Sequence, residues 1–275
     1  QVEKQMQAAL DVVRELKDHP AVMFWSVGNE WDHVPGGKAY NPRIWERLND
    51  IAVEIKRIDA RHPVMTVVGT GRMEKKVQEI AAGCKDMDLL GINAYGDIAR
   101  AAELARRHWP KPYAVTEWGP TGHWEVPKTP WRAPIEQTSS EKARVFDDRY
   151  RNVILADRTH CLGSFAFYWS EKQETTHTWY GLFCDGLQTE SIDVLQHLWT
   201  GKWPANRAPA IDGLGIEGFP DPRATRLRVG QRYRAGARVT DPENDPLVFG
   251  WDIRPEVEIP PGSYAGSMEK RAKPI

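Results

Sequence analysis

The chain has 275 residues, enough for one large domain or two ordinary ones, and 41% of them are apolar. Its 37 Lys and Arg nearly balance 38 Asp and Glu, for a net charge of -1, so no basic field exists to hold nucleic acid or an anionic membrane, and a neutral or small polar ligand is favoured. Cys84, Cys161 and Cys184 are far apart, odd in number and without CxxC spacing, which argues against a disulfide framework or zinc site and reads as buried small hydrophobes; no apolar run approaches the roughly 20 residues of a membrane span.

In chain order, residues 3–18 read as an amphipathic helix, with Met6, Leu10, Val13 and Leu16 near helical spacing and His19-Pro20 closing it. The apolar run 21–27 reads as a strand, 42–59 as a helix, 63–69 as a strand and 72–83 as a helix. A strand at 88–94, a helix at 97–108, a strand at 112–118, a helix at 139–157 opened by Ser139-Ser140-Glu141, a strand at 162–169 and a helix at 191–199 complete the series. Five strands alternate with helices, and strands this apolar must be covered on both faces. That pattern predicts a parallel α/β sheet, either doubly wound or a (β/α)8 TIM barrel.

No Gly-rich phosphate loop follows any strand, which removes the commonest reason for a doubly wound sheet. Polar residues gather instead at strand carboxyl ends: Asn29 and Glu30, Asn93 and Tyr95, Glu117, and Trp169 to Gln173. A barrel presents its active site this way. Residues 1–203 therefore read as the C-terminal five βα units of a barrel, strands 4 to 8, in a chain that starts inside a helix without a signal-peptide layout. Residues 204–222, rich in Pro, Gly and Ala, read as a linker. Residues 223–275 read as part of an immunoglobulin- or cadherin-like β-sandwich, with Tyr233, Ala235, Ala237 and Val239 alternating before the turn DPENDP, and with a disordered polar tail, SMEKRAKPI.

The run AVMFWSVGNEW ends on an amide, a carboxylate and an indole. In a parallel barrel the last residues of each strand point into the mouth, so Glu30 would share a pocket with Glu117 of TEWG, three strands later. Cleavage of a glycosidic bond needs such a pair, one carboxyl to protonate the leaving oxygen and one carboxylate to attack the sugar. WSVGNEW closely resembles the acid/base motif of clan A glycoside hydrolases, most of all family 2, and KDHPAVMFW resembles the helix-turn-strand that precedes it there. TEWG resembles the family's nucleophile motif.

The resemblance covers roughly residues 5–203. It implies Glu30 as acid/base, Glu117 as nucleophile, Asn29 holding the sugar 2-hydroxyl, Tyr95 orienting the nucleophile and Trp169 as a stacking platform. It also implies retention of anomeric configuration through a covalent glycosyl-enzyme. The Arg and His that the clan contributes from its second and third strands have no counterpart in the chain. Trp31, Asn93, Trp118, His177 and Trp179 are further candidates for substrate contact, placed at strand ends or in the long loops after Glu117 and Trp169. His177, Trp179 and Tyr180 read equally well as a loop's own small core. His123 and Glu125 lack a third ligand, so neither a metal nor a cofactor is expected.

The expected partner is a β-linked neutral oligo- or polysaccharide, a β-glucan first and a β-galactoside or β-mannoside second, because aromatic walls stack on flat pyranose faces. Nucleic acid and membrane are not expected partners. A transglycosylase, a non-catalytic sugar-binding protein on a decayed barrel and a structural surface module are the alternatives; only an enzyme needs both glutamates. A polysaccharide substrate points to an extracellular or periplasmic location.

Overall fold

A computed structural model describes residues 2–33, 40–256, 271 and 273–275. The chain divides into two compact units, residues 1–118 with 152–165, and residues 119–151 with 166–275.

The first unit carries α1 (Val2–Leu16), β1 (Trp25–Asn29), α2 (Ile44–Ile58), β2 (Val64–Gly69), α3 (Met73–Gly83), β3 (Leu89–Asn93), α4 (Ile98–His108), β4 (Tyr113–Trp118) and most of β5 (Cys161–Ala166). The five strands lie side by side in chain order, with β1 to β4 paired in parallel. Strands β2 and β3 are buried almost throughout, as parallel strands covered on both faces must be. Helix α2 turns Trp45, Leu48, Ala52 and Ile55 inward at three- and four-residue spacing, which gives it one apolar stripe.

Several boundaries differ from the sequence reading. The first strand begins at Trp25 rather than at residue 21, because His19 organises a turn: its carbonyl accepts Val22 N at 3.1 Å and its ring Nδ1 accepts Ala21 N at 3.1 Å. Met23, apolar but between this turn and the strand, stays exposed. The helix expected over 139–157 ends as α5 (Ser139–Arg149) and continues as a π-helical turn over Tyr150–Ile154. Strand β5 stops at Ala166, three residues short of Trp169.

The second unit holds α5, two short paired strands β6 (Phe183–Cys184) and β7 (Leu187–Gln188), α6 (Glu190–Thr200), and an antiparallel ribbon of β8 (Ala210–Ile216) and β9 (Ala235–Thr240). Strand β8 lies inside the segment read as a linker. Two glycines and an aspartate in AIDGLGI masked it, and its pairing with β9 supplies what local propensity lacks. Of the expected sandwich this one ribbon is formed among the described residues, followed by a turn in which Asp241 Oδ1 accepts Glu243 N at 3.0 Å and Asp245 N at 2.8 Å. Most of the polar tail lies outside the described residues.

Candidate active site

Strand β1 ends in an unusual backbone. Gly28 has φ +78° and Glu30, a residue with a Cβ, has φ +50°. At Gly28 a side chain is excluded twice, by the left-handed conformation and by the indole of Trp31, whose Nε1 would lie 1.4 Å from an added Cβ. Left-handed backbone costs a residue such as Glu30 about 1–2 kcal/mol. Hydrogen bonds at both of its peptide ends hold it there: Glu30 N donates to Val67 O at 2.9 Å, and His33 N donates to Glu30 O at 2.8 Å.

The Glu30 carboxylate runs against the end of β2, where Gly69 leaves room for it; a Cβ there would sit 3.1 Å from Glu30 Oε1. From β3 the buried Asn93 sends one amide hydrogen to Glu30 Oε1 at 2.9 Å and the other to Asn29 Oδ1 at 3.0 Å. Thr116 Oγ1, on β4, donates to Asn93 Oδ1 at 2.8 Å. This contact sets which way the Asn93 amide faces. In register Asn93 is opposite Glu117, and Ala94 N donates to Glu117 O at 2.9 Å. Two residues beyond Asn93, the Tyr95 hydroxyl donates to Glu117 Oε2 at 3.1 Å.

The structure thus brings Asn29, Glu30, Asn93, Tyr95 and Glu117 together at the carboxyl ends of β1, β3 and β4. It does not treat the remaining candidates alike. Trp31 is half exposed, whereas Trp118 is fully buried. In the second unit Trp169 is 56% exposed, edge-on to Phe183 and loosely stacked on Trp199 at 6.4 Å. Trp179 is 1% exposed and gives its indole N–H to Thr121 O at 3.0 Å.

Tyr180 is buried beside it, and the His123 ring packs edge-on against Trp124, Trp179 and Tyr180. Trp179 and Tyr180 therefore form a loop core. His177 is half-buried, and burial followed by the nearby charges of Arg271 and Arg254 holds its pKa below the usual histidine value.

Sequence reasoning passed over Thr116, which orients Asn93, and Gly69, which accommodates Glu30. Thr116 stands inside the TEWG motif, which was the one signal available. Beneath the second unit's loops lies a further network: Glu174 receives Lys172 Nζ at 2.7 Å and His123 Nε2 at 3.2 Å, while Glu136 receives Lys142 Nζ, Thr176 Oγ1 and Thr178 Oγ1. Among the described residues no three His, Cys, Asp or Glu side chains converge on a metal site. A groove of about 440 Å³ lies between α3 and α4, lined by Thr70, Arg72 and Arg100 among others, and neither glutamate borders it.

Residues 1–182 match the TIM barrel domain model of the glycosyl hydrolases family 2. The chain belongs to glycosyl hydrolase family 2. Solved glycosidases share the fold of this family 2 chain at low identity. Bacteroides uniformis beta-glucuronidase 3 is 15% identical with a TM-score of 0.53, over 78% of this chain and 29% of its own. An endo-1,4-beta-xylanase from Caldicellulosiruptor owensensis is 17% identical with a TM-score of 0.51, over 69% of this chain and 66% of its own.

A third, a GH128 endo-beta-1,3-glucanase from Pseudomonas viridiflava, is 15% identical with a TM-score of 0.52, over 71% of this chain and 76% of its own. The family 2 chain accordingly spans under a third of the glucuronidase's length. No curated protein matches it. Among the described residues no helix is long and apolar enough to cross a membrane.

Proposed function

We propose that this family 2 chain carries the catalytic carboxylates of a retaining β-glycosidase. The observation that supports it best is the pair of hydrogen bonds sent from one segment of chain to two glutamates: Asn93 reaches Glu30 and Tyr95 reaches Glu117. Glu117 attacks the anomeric carbon while Glu30 gives its proton to the departing glycosidic oxygen, so the carbon–oxygen bond to the leaving group breaks as the bond to Glu117 forms. Glu30, now a carboxylate, takes a proton from water as that water attacks the same carbon, and Glu117 is released.

Asn29 uses its Oδ1 as an acceptor for Asn93. Its own amide hydrogens are thereby turned outward to a sugar hydroxyl. Trp31 and Trp169 keep exposed indole faces suited to pyranose stacking. Asn93 and Trp118 act from inside, by holding the strands that carry the site, while Trp179 fastens the loop after Trp169 and His177 edges it.

The substrate is a β-linked neutral oligo- or polysaccharide, a β-glucan before a β-galactoside or β-mannoside. The β-linked specificity is supported by the names of the fold relatives, a β-glucuronidase, an endo-1,4-β-xylanase and an endo-β-1,3-glucanase. The β8–β9 ribbon fits the start of an immunoglobulin-like sandwich, and an extracellular or periplasmic site of action follows from a polymeric substrate.

The test expresses the complete open reading frame that encodes this chain and assays 4-nitrophenyl β-glycosides, including β-glucuronide, beside β-glucans. Glu117→Gly should abolish cleavage, and azide should restore it with the α-glycosyl azide as product. Sugar binding without cleavage by the wild type, or full activity in Glu117→Gly, refutes the enzyme reading.

A further inference from the structure

Helix α3 carries a lysine where its sequence calls for an apolar residue. Met73, Val77 and Ile80 form its buried face, and Lys76 lies among them with only 1% of its side chain exposed. A buried ammonium is costly unless it is paired and hydrogen-bonded. Lys76 Nζ has two partners, the Asp32 carboxylate through Oδ2 and the carbonyl of Gly69 at 2.5 Å.

Both partners border Glu30. Asp32 belongs to the turn that the His33-to-Glu30 hydrogen bond closes, and Gly69 is the residue against whose Cα the Glu30 carboxylate lies. Asp32 is itself 9% exposed in its side chain, and its Oδ1 has no hydrogen-bond partner among the described residues. The lysine is therefore the counter-charge that keeps this carboxylate inside.

We propose that Lys76 is a positioning residue for the acid/base: its ammonium ties the turn that carries Glu30 to the strand end that accommodates the Glu30 carboxylate. Glu30 is held in left-handed backbone, and such a conformation persists only where its surroundings over-determine it. Without Lys76, Asp32 retains a buried charge with no compensation, and its escape to water pulls the 30–33 turn away from β2. The nucleophile is fastened separately, by Tyr95 in the bend beyond β3. Loss of Lys76 accordingly impairs proton donation and spares nucleophilic attack. The inference rests on Glu30 being the acid/base, and the test separates the two claims.

The complete open reading frame is assayed with phenyl and 2,4-dinitrophenyl β-glycosides of the sugar that the aryl panel selects. Departure of phenol needs a donated proton and departure of dinitrophenol does not. Glu30→Ala sets the scale, with a large loss on the first substrate and a small one on the second. A displacement of about 1 Å costs on the order of 100-fold in rate, so Lys76→Met should lower kcat/KM for the phenyl glycoside about 10- to 100-fold and for the dinitrophenyl glycoside under about 3-fold. Lys76→Arg, which keeps the charge, should recover part of the loss.

Asp32→Asn/Lys76→Met leaves no uncompensated charge but still lacks the ammonium that bridges the 30–33 turn to Gly69 O, so the turn is loosened without being expelled. It keeps the test open if the single variant does not fold, and should show the same split between substrates. Independently of turnover, amide hydrogen exchange over residues 28–33 should rise in the double variant while that of β2 holds. Equal losses on both substrates, no loss, or unchanged exchange overturn the positioning role, provided Glu30→Ala still discriminates. If Glu30→Ala fails to discriminate, the acid assignment falls and the role of Lys76 falls with it.

Discussion

Asp59 offers the sharpest test of how the first unit is fastened. It caps the end of α2, its N–H donating to Ile55 O at 2.8 Å, and its side chain is 1% exposed. Oδ2 receives Trp25 Nε1 at 2.9 Å and meets His62 Nδ1 at 2.6 Å, while Oδ1 receives the backbone N–H groups of Arg61 at 3.0 Å and His62 at 3.3 Å. One carboxylate thus joins the end of α2, the start of β1 and the turn into β2.

Burial alone pushes its pKa up, but the donors from Trp25, His62 and the two backbone N–H groups outweigh this and hold it at about 2, against an ordinary 3.8. Each tenfold change in acidity corresponds to about 1.4 kcal/mol, which places roughly 2 kcal/mol of folding stability on the ionised form. Because the folded value is the lower one, this stability is present above the unfolded value near 3.8 and is lost as the pH falls towards about 2.

Asp59→Asn keeps the shape and removes the charge. In urea unfolding it should be about 2 kcal/mol less stable than wild type at pH 7. The difference should shrink steadily below pH 4, since only the wild type has this contribution to lose. A gap under about 0.5 kcal/mol at pH 7, or one of the same size at pH 7 and pH 2.5, refutes the reasoning.

Two further outcomes follow from local geometry. Gly28→Ala should cost about 1–3 kcal/mol, from the left-handed backbone and from expulsion of the Trp31 indole; in a Trp31→Ala background, which removes the clash, Gly28→Ala should keep the backbone cost alone, as urea midpoints would show. Helix α5 opens with a capping box in which Glu141 N donates to Thr138 Oγ1 at 3.2 Å and Thr138 N donates to Glu141 Oε2 at 2.8 Å. Thr138→Ala should therefore lower stability by about 1 kcal/mol and Thr138→Ser by much less, measured by thermal unfolding.

What the sequence announces and what it hides divide along physical lines. Strands β2, β3 and β4 were legible because strands covered on both faces are written as continuous apolar runs. The same rule misplaced the start of β1, since an apolar run does not say where pairing begins. The turn around His19 decides that, through one ring nitrogen and one carbonyl. Strand β8 was hidden because its stability comes from β9, which follows it at a distance along the chain.

At the site, Glu30 and Glu117 stood out because each sits in a short motif beside residues of matching chemistry. The contacts of Thr116 with Asn93, and of Gly69 with Glu30, join residues distant in sequence. Nothing local marks them. Lys76 was the least legible of all: a lysine on an amphipathic helix is taken to face water, and only the folded chain shows Asp32 waiting for it.

The placement of Asn93 at the end of β3 and of Tyr95 just beyond it bears on how the molecule fails. Asn93 is the last residue of β3 and Tyr95 lies in the bend just beyond it, so a slip of one residue turns Asn93 to the other face of the sheet and shifts Tyr95 away from Glu117. A molecule that pairs β3 out of step with its neighbours therefore loses the orientation of the proton donor and of the attacking carboxylate in a single error. Under the proposed mechanism no partly competent intermediate results. Specific activity in a preparation would count correctly paired molecules, rather than averaging over degrees of damage.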